Sequence, residues 1–132
     1  MSAVELYTDG PLSTGVPEID ADHARLHGIA ADLDSILLTN APVDLRLQKY
    51  TILYNAFTKH FASEEHIMAE LGVESLNTHK KMHNELLKQL SRLGESIAVE
   101  HNRIVTDKFV AVEKLLIMHI ASMDTDIRHY VK

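Results

Sequence analysis

Apolar residues recur every three or four positions along four stretches of this chain, the spacing of one buried helix face. The first seam is Ile19, His23, Leu26, Ala30, Leu33 and Leu37. The second is Leu47, Tyr50, Tyr54, Phe57, Phe61, Glu64, Met68 and Leu71. The third is Leu76, His79, His83, Leu86, Leu90, Leu93 and Ile97, and the fourth is Val105, Phe109, Val112, Leu116, His119 and Met123. No stretch alternates as a strand would. Each seam is broken where a leucine belongs by an imidazole or a carboxylate, and burying such groups is costly unless they are paired or bind a metal.

The breakers between seams set the helix ends. Asp20, followed by Ala21 and Asp22, reads as the N-cap of a first helix running to about Leu38, with Thr39 to Pro42 as a short connection. A second helix spans Val43–Leu71 and stops at Gly72, where a left-handed conformation costs little. A third begins near Glu74 or Ser75 and weakens after Gly94. Glu100, His101 and Asn102 read as the next turn, and a fourth helix continues to at least Met123. Residues 1–17 hold two of the three prolines and read as an extended N-terminal arm, leaving 18–132 as a single bundle. Connections this short make neighbouring helices antiparallel, so the predicted fold is all-α, an up-down-up-down four-helix bundle.

Reflection about the predicted turns tests whether the interrupting residues share one level. About a first turn near Ala41, His23 reflects onto Lys59, beside His60. About Val73, Glu64 reflects onto Met82, beside His83. About His101, His83 reflects onto His119, and His79 onto Met123, beside Asp124. The seven groups His23, His60, Glu64, His79, His83, His119 and Asp124 therefore fall within about two helical turns of one another. Two of the three local patterns, His60-x3-Glu64 and His79-x3-His83, put both side chains on one face. The third, His119-x4-Asp124, leaves Asp124 about 140° from His119 on an ideal helix, so a local distortion is expected there.

Composition narrows the chemistry. The absence of cysteine removes thiolate zinc and iron–sulfur sites. A formal charge of -6 opposes nucleic-acid binding, and Lys80-Lys81, the one adjacent basic pair, reads as a solvated helix face. No apolar run is long enough for a membrane span and no secretory signal is visible, so a cytoplasmic protein is expected. Five imidazoles and two carboxylates exceed the four ligands of a tetrahedral zinc, and suit two first-row ions bridged by the carboxylates. Ferrous iron fits best, with manganese or cobalt as alternatives. No Glu stands three residues before any His, so the Glu-x-x-His pairs of ferritin-like enzymes are missing.

Other residues receive plainer readings. His27, His66, His101 and His129 fall off the seams and read as surface histidines. Asp22 and Glu65, next to predicted ligands, are solvated acids or acceptors for a ligand N–H. Met68, Met82, Met118 and Met123 read as core filler, as do Tyr50 and Tyr54.

The stretch Gly15-Val16-Pro17-Glu18-Ile19-Asp20-Ala21-Asp22-His23, then His60-Phe61-Ala62-Ser63-Glu64-Glu65, His79-x3-His83 and His119-Ile120-x3-Asp124, resembles the bacterial hemerythrins over nearly the whole chain. The resemblance implies reversible dioxygen binding at two non-haem iron ions, without catalysis, for oxygen storage, transport or delivery. It implies that His79, His83 and His119 hold one iron, and His23 and His60 the other. Glu64, Asp124 and an oxo or hydroxo group would bridge them. The two-His iron would keep an open position, walled by Leu26, Phe61, Leu116 and Ile120. Family members commonly carry Trp near the start and again four residues before the last His; here Tyr7 or Thr8 and Leu115 stand there. Alternative roles are a module sensing oxygen, redox state or nitric oxide through a partner, or a di-iron peroxidase or oxidase. A monomer or weak oligomer is expected, with an oxidase, oxygenase or signalling protein as a possible partner.

Overall fold

The computed structural model describes residues 2–100 and 102–131. Five α-helices and a 3-10 helix follow in order: α1 Ala3–Thr8, α2 Pro17–Leu37, α3 Val43–Leu71, α4 Leu76–Val99, α5 Asn102–Ser122, then the 3-10 turn Asp124–Tyr130. The long helices α2 to α5 are the four predicted from the seams. Contacts between them give their directions. Between α3 and α4, Tyr50 donates to the Leu90 carbonyl at one level, and Glu65 meets His83 at another. Between α4 and α5, Lys108 donates to Ser96 while the rings of His83 and His119 lie 5.0 Å apart. Likewise His23 on α2 meets Asp124 beyond the end of α5, whereas Leu37 shares a groove with Arg103 and Thr106 near its start. Each pair runs in opposite directions, which is the up-down-up-down arrangement. No helix among the described residues is long and apolar enough to cross a membrane.

The ends of α3 are those predicted. Gly72 adopts φ 71, and the Val73 N–H reaches back to the Met68 carbonyl at 3.0 Å, closing the helix with a left-handed residue. Three expectations need correction. The first long helix starts at Pro17 rather than after Asp20, because proline at the first helical position is already set to helical φ and lacks only an N–H the helix does not use. Asp20 is then buried in the first turn, where its Oδ1 accepts from the Thr14 N–H (2.7 Å) and hydroxyl (2.8 Å) and pins the preceding loop.

Second, the N-terminal arm is not wholly extended. Ser2 caps a six-residue helix by accepting from the Glu5 N–H at 3.2 Å, and this helix packs on α2 through the buried Tyr7. So short a helix is marginal alone, so the docking of Tyr7 sustains it. Third, α4 does not weaken after Gly94 but runs on to Val99. Gly94 is a packing residue: a Cβ there would lie 2.5 Å from the Tyr50 ring, whose hydroxyl is held at 2.7 Å by Leu90. The turn predicted at Glu100 to Asn102 agrees with the end of α4 and start of α5, while His101 itself lies outside the described residues.

The interior divides into two apolar clusters. The larger joins α2 to α5 through residues such as Leu33, Leu53, Phe57, Leu90 and Phe109. The smaller joins Ile19, Met68, Val73 and Ile127 at the other end. Of the methionines read as core, only Met68 is fully buried. Met123 is half-buried, and Met82 and Met118 are exposed, because their positions rotate past the buried stripe. Tyr50 and Tyr54 pack on the larger cluster as expected, and Leu53, one step off the predicted seam, is fully buried.

The two helical glycines should respond oppositely to alanine. Nothing lies within 4 Å of a Cβ at Gly28, so Gly28→Ala is expected to stabilise by about 0.5–1 kcal/mol through helix propensity. Gly94→Ala must displace Tyr50 and is expected to destabilise by about 1–3 kcal/mol. Urea denaturation of both variants checks the pair; equal responses would contradict the packing role of Gly94.

Candidate metal centre

Between the two apolar clusters lie all seven interrupting residues, each at most 4% exposed. Helix spacing brings His60 and Glu64 together one turn apart on α3, and His79 and His83 on α4. His23 comes from α2 and His119 from the last turn of α5. The distortion expected near Asp124 is present: α5 stops at Ser122, and Asp124 opens the 3-10 helix, which tightens the winding and swings its carboxylate inward.

The oxygens are divided between two groups of imidazoles. Glu64 Oε1 faces His79 Nε2 (2.9 Å) and His83 Nε2 (3.1 Å), and Asp124 Oδ1 faces His79 Nε2 (2.7 Å) and His119 Nε2 (3.0 Å). The other two oxygens turn the opposite way. Glu64 Oε2 faces His23 Nε2 (3.3 Å) and His60 Nε2 (3.2 Å), and Asp124 Oδ2 faces His23 Nε2 at 3.1 Å. Two donor sets result, each with its ligand atoms within 4.8 Å of one another: Glu64, His79, His83, His119 and Asp124, and then His23, His60, Glu64 and Asp124. Both carboxylates belong to both sets.

A test of whether this cluster suits metal ions is what its polar atoms do without them. The Nε2 atoms of His23, His60 and His119, Glu64 Oε2 and Asp124 Oδ2 are buried and lack an aligned hydrogen bond, although ionic partners lie near. These donor atoms gather instead into two groups, each within 4.8 Å, which is how donors cluster around an ion. The residues present therefore fit cation binding.

Electrostatics point the same way. Burial pushes the His23 imidazole toward its neutral form, yet Asp124 and Glu64 together raise it from 6.5 to about 9. His79 is raised to about 9 by the same two carboxylates against the same burial. Burial would also raise Glu64, but four surrounding imidazoles hold it well below its ordinary value; burial and the neighbouring Glu64 charge would raise Asp124, yet His119, His23 and His79 together lower it. Positive charge, whether protons or metal, is drawn to this point in the bundle.

Outer contacts orient two of the imidazoles. His60 Nδ1 lies 3.1 Å from Asp22 Oδ2, and His83 Nδ1 lies 2.8 Å from Glu65 Oε2, so both acids flanking predicted ligands contact a ring nitrogen on its far side. Such a carboxylate fixes ring and tautomer and raises the basicity of the inward nitrogen. The histidines read as surface residues behave so where they are described: His66 pairs with Glu70, His129 is exposed, and exposed His27 hydrogen-bonds with the Tyr7 hydroxyl at 3.3 Å.

Of the predicted pocket residues, Phe61, Leu116 and Ile120 line a cavity of about 10 Å³ that touches His23 and His60, room for roughly one water-sized guest. Phe61 also stacks on His83 with ring centres 4.0 Å apart. Leu26 lines an adjoining cavity of about 40 Å³, together with Tyr7 and Glu113. Two wall residues were not singled out from the sequence. Phe57 lies one turn before His60 on the second seam and was legible there. Tyr7, whose ring centre is 6.1 Å from that of His23, arrives only by the docking of α1. Tyr7 thus packs over the His23 ring, while Leu115 is 44% exposed and faces away.

The chain matches the family model described as the hemerythrin HHE cation binding domain over residues 14–128. It is 26% identical over 127 residues to a protein named Bacteriohemerythrin from Campylobacter jejuni subsp. jejuni serotype O:23/36 (strain 81-176), across 94% of this chain and 93% of that protein. No solved structure matches it. With most of its length covered by that family model and its buried donors divided into two sets that share Glu64 and Asp124, the chain belongs to the hemerythrin family.

Proposed function

We propose that this protein binds dioxygen reversibly at a non-haem di-iron centre, as a store or carrier rather than an enzyme. The observation that carries the reading is the pair of donor sets sharing Glu64 and Asp124, three imidazoles on one side and two on the other, with a small cavity that reaches His23 and His60 of the poorer set as well as His119. In this reading His79, His83 and His119 would hold one iron and His23 and His60 the second, with Glu64 and Asp124 available to both. Two ferrous ions would supply the electrons that dioxygen draws on binding and recover them on its release.

The chain's own residues provide the rest. Asp22 and Glu65 hold the rings of His60 and His83 so that their Nε2 atoms point inward. Phe61, Leu116 and Ile120 keep bulk water from the two-His side, which favours release of intact dioxygen over its loss as reduced products. Tyr7 lines the adjoining cavity beside His23.

Anaerobic loading with ferrous iron is expected to give two irons per chain and a visible absorption band that appears in air and disappears on degassing. Irreversible bleaching, or no band, would contradict reversible binding. Glu64→Ala and Asp124→Ala each remove a shared ligand and are expected to bind fewer than two irons while keeping native helix content; full occupancy in both, measured by metal analysis, would refute the ligand assignment.

The pH dependence has a definite sign. In the metal-free protein, His23 and His79 rise on folding from 6.5 to about 9, so their stabilising contribution is complete below about pH 6.5 and is lost as pH rises through about 9. Glu64 and Asp124 are lowered from 4.5 and 3.8, so theirs is present above those values and lost in acid. The metal-free protein should resist urea best at about pH 5–6 and weaken toward about pH 9. Metal must displace the protons on His23 and His79, so metal affinity should rise over the same interval. A urea midpoint that does not fall across it would contradict the assignment.

A further inference from the structure

Helix α5 is apolar on its outward face as well as its inward one. Val105, Phe109, Val112 and Leu116 enter the core, yet Ile104, Val110, Leu115, Ile117 and Met118 are exposed, Met118 by 64%. Of the twelve exposed large apolar side chains among the described residues, these five lie on this one helix. A helix with one solvated face normally carries polar residues there, and a contiguous apolar patch marks a contact surface. From Val110 to Ala121 the only charged residues are Glu113 and Lys114, and Glu113 lines the cavity beside Tyr7. Lys114 therefore stands alone in the outward patch.

The next charge along the same strip is Asp107. Seven residues separate it from Lys114, so the two point within about 20° of each other and lie about 10 Å apart along the axis. Among the described residues neither has an ion pair or hydrogen bond within the chain. An acid and a base so spaced on an apolar strip are complementary to the same strip turned end for end.

We propose that the outward face of α5 is a homodimer interface, in which α5 of a second copy packs antiparallel about a two-fold axis passing between Val110 and Ala111. That axis sets Asp107 of each copy against Lys114 of the other, so both charges are paired by one operation. On one flank Ile104 falls opposite Met118 and Ala111 opposite itself; on the other, Val110 falls opposite itself. The small Ala111 allows the helix axes the close approach of about 8–10 Å that helix packing requires. Parallel packing would oppose like charges. A lipid surface would place Asp107 against anionic headgroups.

The interface is independent of metal and is tested on metal-free and metal-loaded protein alike by sedimentation over a concentration series. The mass is expected to rise from one chain toward two as concentration increases. Asp107→Lys and Lys114→Asp, both at solvent-facing positions, should each weaken association by about tenfold, and the double exchange should restore it to within a few-fold. Because the chain has no cysteine, Ala111→Cys should give a covalent dimer under mild oxidation, while Ser35→Cys on the exposed side of α2 should not. A monomer throughout the series, or a double exchange no better than the single ones, overturns the proposal.

Discussion

Two carboxylates buried among five imidazoles constrain everything else in this bundle. Glu64 is wholly inaccessible and touches four imidazoles; Asp124 touches three. A lone buried carboxylate would cost several kcal/mol, so these oxygens must be met by positive charge wherever the helices set them. The contacts come from α2, α3, α4 and the junction beyond α5, and a slip of any one helix by a turn would strand a charge. The cluster therefore specifies the relative register of all four long helices, a role that packing of interchangeable aliphatic side chains performs less sharply.

The apolar residues above and below the cluster make that constraint stronger. Ile19, Met68, Val73 and Ile127 close one side, and Phe61, Leu86 and Leu116 the other, which keeps water away and lengthens the reach of every charge. Only a few groups connect the interior to the surface. Asp22 and Glu65 are partly exposed and grip the outer nitrogens of His60 and His83, so solvent is coupled to the centre through two imidazole rings. Tyr7, hydrogen-bonded to His27, lies over the His23 ring without bonding its nitrogens.

Helix α5 illustrates how one element serves two surfaces. Its inward stripe supplies Leu116, His119 and Ile120 to the site, and its last turn hands the chain to the 3-10 helix that aims Asp124. The outward stripe is nearly as apolar, and from Val110 to Ala121 Lys114 is its one exposed charge. A single helix thus carries the centre on one side and a contact surface on the other.

The amino-acid sequence by itself determined the four long helices, the alternating direction of neighbours and the convergence of all seven polar interruptions. These are consequences of local periodicity and short connections, and a four-residue spacing on a helix has one geometric meaning. Even the misfit of Asp124 was legible, because five residues cannot bring two side chains to one face of a regular helix. Other features were decided only by tertiary structure. The α1 helix packs through Tyr7 over His23, and Gly94 sits inside α4 because the Tyr50 ring occupies the space a Cβ would take. Asp20 left the cap position for a buried bond to Thr14, and the oxygens of Glu64 and Asp124 divided between two imidazole groups. Each of these depends on a partner distant in sequence or on a side-chain rotation, and neither is encoded in the spacing of residues along a single helix.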